Sequence, residues 1–169
     1  MPHQAPAGTG LGTGVSRLLA IDPGTRTTGY AIFDNSRLAA CGCLTADGLY
    51  EMLAEIMLAS ARMTLPREIL PELKTVVERP QVYGQRKWKG DPNDLIGVAL
   101  VAGAVAALFP PAKFVLPHAW KGNAPKDVVE KRLRKILSKE EADIIGEARH
   151  DVWDAVGLGL WSIGRRQSP

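Results

Sequence analysis

Apolar residues occur along the chain in short runs bounded by turn-forming residues, the pattern typical of β-strands. Five segments show this pattern: Arg17–Asp22, Thr27–Asp34, Arg37–Leu44, Lys74–Glu78 and Ala112–Leu116. The first run ends at Pro23-Gly24, and Asn35-Ser36 separates the second from the third. Because so short a turn joins neighbouring strands in opposite directions, we predict that the first three strands are antiparallel.

Apolar residues at helical spacing predict four helices. The segments are Gly48–Met63, Asp91–Phe109, Pro125–Leu137 and His150–Gly164. Asp91 and Pro92 suit the N-cap and first position of the second helix, and the third has acidic residues early and basic residues late, as the helix dipole favours. The order βββαβαβαα predicts an α/β fold with a mixed five-stranded sheet, in which three antiparallel strands are followed by parallel strands, flanked by helices.

The length of 169 residues fits one domain. Residues 1–16 are rich in Gly, Pro, Ala and Thr and predict a flexible tail, so residues 17–166 are expected to form a single domain. No apolar stretch reaches the roughly 20 residues that a membrane span needs, and the tail lacks the pattern of a secretory signal. We expect no membrane association and a cytoplasmic protein, or an organellar one if the source is eukaryotic. Cys41 and Cys43 are expected to be reduced, buried thiols.

Positive charge is concentrated in one third of the chain. The net charge is only +3, but residues 79–135 hold eleven Lys and Arg against four Asp and Glu. An extended anion such as a nucleic acid would bind such a stretch, although a solvated basic face would have the same composition. Within it, residues 79–90 form a predicted loop with candidate nucleic-acid contacts: Tyr83, Arg86, Lys87, Trp88 and Lys89. The charges would meet phosphates and Trp88 would stack on a base; alternatively, the loop is mobile and Trp88 packs on the core.

Four acidic residues lie at positions where their side chains would converge. Asp22 and Glu78 each end an apolar strand, and Asp151 and Asp154 lie one turn apart near the start of the last helix. Taken singly, a turn residue, a strand-end charge and two favourable helix N-terminal charges would explain them. Together they would repel one another unless a cation were bound, and oxygen-only ligands suit Mg²⁺ or Mn²⁺. Two such ions would assist in-line displacement at a phosphodiester, which predicts a nuclease.

Three motifs resemble those of the RuvC family of Holliday junction resolvases. The segment 21–30, Ile-Asp-Pro-Gly-Thr-Arg-Thr-Thr-Gly-Tyr, is similar to the opening motif of that family. Val76-Val77-Glu78 matches its middle acidic strand, and 151–156, Asp-Val-Trp-Asp-Ala-Val, is similar to its closing signature. The likeness covers roughly residues 18–163 and has the motifs in the family's order.

The resemblance implies a ribonuclease-H-like fold, a homodimer, and paired symmetric incision of four-way DNA junctions with two Mg²⁺ ions per active site. The cuts would leave 5′-phosphate and 3′-hydroxyl ends and serve DNA recombination and repair, so the resemblance also implies association with the nucleoid. Asp22, Glu78, Asp151 and Asp154 match the four metal-binding acidic positions, and Lys121 and Lys126 match basic residues near the scissile phosphates. The family's aromatic residue after its middle Glu is displaced: Gln81 stands there, and Tyr83 or Trp88 would take its role.

Several alternatives stay open at this point. The departures around residues 81–90 also fit a broader branched-DNA nuclease of phage type that cuts forks or flaps. A non-cleaving nucleic-acid-binding protein on the same fold is a second alternative, although clustered acidic residues would weaken its binding. Ile21-Asp22-x-Gly24-Thr25 also resembles the phosphate motif of sugar kinases and actin, but these need two domains, so no nucleotide cofactor is expected. His150 either assists the reaction or caps its helix.

Overall fold

A computed structural model of the chain describes residues 17–45, 51, 73–82 and 91–165. The predicted tail over 1–16 and, apart from residue 51, the predicted helix over 48–63 lie outside these residues. Five predicted nucleic-acid contacts also lie outside them: Tyr83, Arg86, Lys87, Trp88 and Lys89. Within the described ranges, none of the helices has the length and apolar character needed to cross a membrane.

The sheet has the predicted five strands. They are β1 (Arg17–Asp22), β2 (Thr27–Asp34), β3 (Arg37–Thr45), β4 (Leu73–Glu78) and β5 (Ala112–Val115). Their order is β3-β2-β1-β4-β5. Strand β2 is antiparallel to its neighbours β1 and β3, and β4 is parallel to its neighbours β1 and β5. The predicted mixed sheet is therefore confirmed.

Cys41 and Cys43 are free thiols, as predicted, but the prediction that they are buried is wrong. Both are only half-buried, because β3 lies at the edge of the sheet and is covered less completely than the central strands.

The described helices are more numerous than predicted. They are α1 (Pro92–Leu108), α2 (Pro117–Trp120), α3 (Lys126–Arg134), α4 (Lys139–Ile145) and α5 (His150–Ser162). The predicted Asp91 cap of α1 is present, since its side chain accepts a hydrogen bond from the Asn93 amide at 2.9 Å. The sequence prediction missed α2 and α4 and extended α3 to Leu137. The chain leaves α3 earlier because Ser138 starts α4, in a capping box with Glu141.

Alternation along the strands sorts side chains onto two faces of the sheet. Leu18 and Ala20 of β1 face one core cluster, which includes α5, whereas Leu19 and Ile21 face a second cluster with α1. With a period of two, Asp22 continues the row of Leu18 and Ala20. The acidic end of β1 is thus on the same side of the sheet as α5.

The α5 helix lies very close to the central strands. Every residue of this helix from Val152 to Leu160 is buried. Gly29 of β2, which pairs with Asp22, has no room for a side chain, because a Cβ atom there would overlap the Asp151 carbonyl group. This close contact brings the acidic start of α5 over the end of β1.

Candidate active site

Asp22 and Glu78 lie side by side at the carboxyl ends of two parallel strands. The register pairs Ile21 with Val77, so the next residue on each strand is an acid. Burial raises the pKa of Asp22 well above its ordinary value, and the negative charges of Glu78, Asp154 and Asp151 raise it further. All four predicted acidic residues therefore interact electrostatically at this edge of the sheet.

Lys121 lies between two of these acids. Its Nζ atom is 2.8 Å from Oδ2 of Asp154 and 3.1 Å from Oε2 of Glu78, and all three side chains are mostly buried. Burial alone would lower the pKa of Lys121, but the two carboxylates outweigh burial and raise it. The ammonium group is therefore charged at neutral pH and balances part of the acidic cluster.

Trp120 makes a second contact with Glu78. Its Nε1 atom donates a hydrogen bond to Oε2 of Glu78 at 2.8 Å. Burial raises the pKa of Glu78, whereas Lys121 and the Trp120 hydrogen bond lower it, and the net shift is upward. Sequence reasoning missed Trp120 as a site residue, and the only signal for it was its place beside Lys121.

Asp151 lies at the rim of the cluster. Its Oδ2 atom accepts a hydrogen bond from Oγ1 of Thr27 at 2.7 Å and is 3.9 Å from Nε of Arg149. Its side chain is 26% exposed, about twice the 12% of Asp154. The two acids of α5 therefore face different surroundings, one the strand edge and solvent, the other the buried Lys121.

Lys126 and His150 form a pair beside Asp151. The Nζ atom of Lys126, at the start of α3, lies 2.7 Å from Nε2 of His150, at the start of α5. The contact is exposed and lies next in the chain to Asp151. Two roles were predicted for His150. Arg149 occupies the N-cap position of α5, so His150 does not cap its helix, and a role in the reaction stays a prediction.

The predicted acidic residues lie near one another, but their side chains are not arranged to coordinate a metal ion. Within the described ranges, no group of three or more His, Cys, Asp or Glu is arranged to hold an ion. Instead, the ammonium of Lys121 lies between Glu78 and Asp154. The donor chemistry nevertheless fits Mg²⁺ or Mn²⁺, because the acids are oxygen donors and partial burial makes their mutual repulsion costly. The catalytic and metal-binding roles of these residues stay predictions.

The sequence and the structure of this chain are similar to those of RuvC proteins. It is 28% identical over 163 residues to the crossover junction endodeoxyribonuclease RuvC of Methylococcus capsulatus, covering 91% of this chain and 94% of that protein. Solved structures of Thermus thermophilus RuvC match 89% of this chain and 98% of theirs. The one in complex with a Holliday junction substrate has a TM-score of 0.55 at 19% identity, and another has 0.50 at 20%. No family model matches the sequence. The resemblance to the RuvC family and the ribonuclease-H-like fold are thereby confirmed.

Proposed function

We propose that this protein is a metal-dependent endodeoxyribonuclease that resolves Holliday junctions by paired symmetric incision during DNA recombination and repair. The observation that carries the proposal is the position of Asp22 and Glu78 at the carboxyl ends of the paired strands β1 and β4. Asp154 of α5 is joined to this edge through Lys121, which contacts both Glu78 and Asp154. A protein that only bound nucleic acid would gain nothing from partly buried negative charge beside phosphates. Similarity to a crossover junction endodeoxyribonuclease along 91% of the chain supports the same activity.

The proposed metal ligands are Asp22, Glu78, Asp151 and Asp154. Two Mg²⁺ ions, or Mn²⁺ in their place, would stabilise charge on the attacking and leaving oxygens of an in-line displacement. Asp22 and Glu78 are anchored by the sheet, and Asp151 and Asp154 by a buried helix, so both pairs of ligands come from rigid elements.

Three further side chains would act on the DNA rather than on the ions. Lys126 and His150 lie at the exposed rim, where they would hold the phosphate next to the scissile bond. The ammonium of Lys121 contacts Glu78 and Asp154. Once bound cations balance these carboxylates, the ammonium would leave them and contact the scissile phosphate. Water attacks phosphorus and the bond to the 3′ oxygen breaks, so the products carry a 5′-phosphate and a 3′-hydroxyl.

Homodimerisation through α1 is part of the proposal, because two symmetric cuts need two active sites. Asp94 is the one charged residue among the 17 of this helix. Ile96 and Leu100, four residues apart on one face, are 60% and 70% exposed in the single chain. An apolar face of this kind is typical of a surface that a second copy covers.

The basic segment with Tyr83, Arg86, Lys87, Trp88 and Lys89 is proposed to contact the DNA arms. Its sequence would place cationic groups on phosphates and an aromatic ring on an unpaired base. A nuclease of this class would work with chromosomal DNA, in the cytoplasm of a bacterium or in an organelle of a eukaryote.

The proposal is tested by incubating the purified protein with a synthetic four-way junction, a Y-fork and a plain duplex, each with Mg²⁺ and with EDTA. We expect paired symmetric cuts in the junction only, and only with Mg²⁺. Asp22→Asn should abolish cleavage and leave junction binding intact or tighter. Asp127→Asn, which removes an exposed carboxylate of α3, is the matched control and should cut normally. Equal cutting of the fork would favour a broader branched-DNA nuclease, and wild-type cleavage by Asp22→Asn would refute the assignment.

A further inference from the structure

We propose that Trp120 is a positioning residue that aligns Glu78 and Lys121 for metal and DNA binding. The inference rests on the proposed function and concerns how its site is held in place. Trp120 lies in the short α2 helix, outside the acidic motifs, and its side chain touches three parts of the site.

The first contact fixes Glu78. Nε1 of Trp120 lies 2.8 Å from Oε2 of Glu78, and Lys121 contacts both oxygens of the same carboxylate, at 3.2 Å and 3.1 Å. If Lys121 leaves for a phosphate when metal binds, Trp120 remains as a neutral donor on Glu78. A neutral N–H stays compatible with a cation on the same carboxylate, whereas an ammonium group competes with it.

The second contact is between the ring and the neighbouring ammonium. Nζ of Lys121 lies 4.9 Å from the centre of the Trp120 ring, within the range of a cation–π interaction. The ring attracts the ammonium, so the orientation of the indole influences where the ammonium of Lys121 lies. One side chain therefore restrains both members of the Lys121–Glu78 pair.

The third contact seats the ring on α5. A Cβ atom at Gly157 would overlap the six-membered ring of Trp120 and come within 2.9 Å of its Cη2 atom. Gly157 is one helical turn beyond Asp154, so the ring packs beside the residue whose carboxylate binds Lys121. The indole thus ties α2 to β4 through Glu78 and to α5 through Gly157.

A purely structural role for Trp120 predicts a loss of stability when the ring is removed, but no specific need for its N–H group. A positioning role predicts that loss of the N–H alone weakens metal binding. Outer-shell partners of metal ligands typically contribute about 10-fold to 100-fold in affinity. The two roles are therefore separated by a variant that removes the donor and keeps the packing.

The experiment measures Mg²⁺ and Mn²⁺ binding to the full-length protein by calorimetric titration, together with the Tm in EDTA. Trp120→Phe should raise the metal Kd roughly 10-fold to 100-fold. Replacing Trp120 with 3-benzothienylalanine, which keeps the bicyclic ring and exchanges N–H for sulfur, should raise it similarly with little change in Tm. Trp161→Phe is the matched control, because Trp161 lies on α5 and contacts Lys113 instead; this variant should bind metal like the wild type.

The outcomes separate this inference from the proposed function. If the wild-type protein binds and cleaves with metal, and the benzothienyl variant binds metal equally well, Trp120 has only a packing role and the inference is wrong. If the wild-type protein binds no divalent ion, the proposed function itself fails, and the positioning role fails with it. If Trp120→Phe does not fold, the benzothienyl variant alone decides.

Discussion

The Nζ atom of Lys121 lies 2.8 Å from Oδ2 of Asp154 and within hydrogen-bonding distance of both oxygens of Glu78. A single ammonium group thereby joins a strand end to a helix that lies more than 70 residues further along the chain. It supplies positive charge where the acidic residues would otherwise repel one another. The chain's own cation thus stabilises this cluster when no divalent ion is bound.

Lys121→Met should destabilise the metal-free protein, because it leaves the partly buried Glu78 and Asp154 without a cation. We expect a loss of about 2–3 kcal/mol in the free energy of unfolding in EDTA, somewhat less than for a fully buried pair. Millimolar Mg²⁺ should restore much of the loss. Thermal unfolding with and without Mg²⁺ measures both effects. Lys131→Met, which breaks an exposed pair with Asp127 at 3.8 Å, is the control and should change little. Equal effects of the two substitutions would contradict the bridging role of Lys121.

Gly29→Ala should push α5 away from β2, because the new methyl group would overlap the backbone carbonyl of Asp151. We expect a loss of about 1–3 kcal/mol in stability and a sharp loss of cleavage, since Asp151 and Asp154 move together with α5. Chemical denaturation and a junction assay measure these effects. Gly103→Ala in α1 is the control for stability alone, because Gly103 lies on the helix proposed to form the dimer. It should be neutral or slightly stabilising in chemical denaturation, since a Cβ atom there would have no neighbour within 4 Å among the described residues outside its own helix. Unchanged stability of Gly29→Ala would contradict the close approach of α5 to β2.

Leu100→Glu should dissociate the proposed homodimer, because it would bury a charge in the apolar face of α1. Light scattering after size-exclusion chromatography should show a shift from dimer to monomer, and junctions should be nicked rather than cut in pairs. Ile144→Glu provides the comparison, because Ile144 is also exposed but lies on α4, away from α1. If Leu100→Glu stays a dimer, the partner surface lies elsewhere.

The free energy of unfolding should fall as the pH drops from about 4.5 to 2, and Glu141 should be a main cause. Arg165 donates to Oε2 of Glu141 at 2.8 Å, and the Leu38 amide donates to Oε1 at 2.8 Å. The Arg165 hydrogen bond and those from the backbone lower the pKa of Glu141 to about 2. The folded protein therefore binds fewer protons than the unfolded chain in this range, so stability rises with pH by about 3 kcal/mol.

Denaturation of the wild type and of Glu141→Gln between pH 2 and pH 6 measures this contribution. Glu141→Gln should be less stable at neutral pH and should depend less on pH. Glu130→Gln, which removes an exposed pair with Arg134, should keep the wild-type slope. A Glu141→Gln profile parallel to that of the wild type would rule out this explanation.

Most of the secondary structure was predictable because its signals are local. Strands β1 to β5 follow apolar runs bounded by turns, and α1 begins at an Asp-Pro cap. Helix α4 also had a local signal, the Ser138–Glu141 capping box, which sequence reasoning overlooked. The short α2 helix begins at Pro117, a residue that favours a helix start, but four residues carry too little periodicity for a helix to be recognised.

The acidic residues and their order along the chain were predictable from the sequence. Two apolar strands end in Asp22 and Glu78, and the last helix carries Asp151 and Asp154. This pattern already indicates the chemistry. Their surroundings depended on packing between residues far apart in the chain. The contact at Gly29 determines how closely α5 approaches the sheet. Trp120 at the end of α2 and the next residue, Lys121, contact Glu78, which lies some 40 residues earlier in the chain. Local patterns carry no information on such distances, because they arise from how closely the core packs.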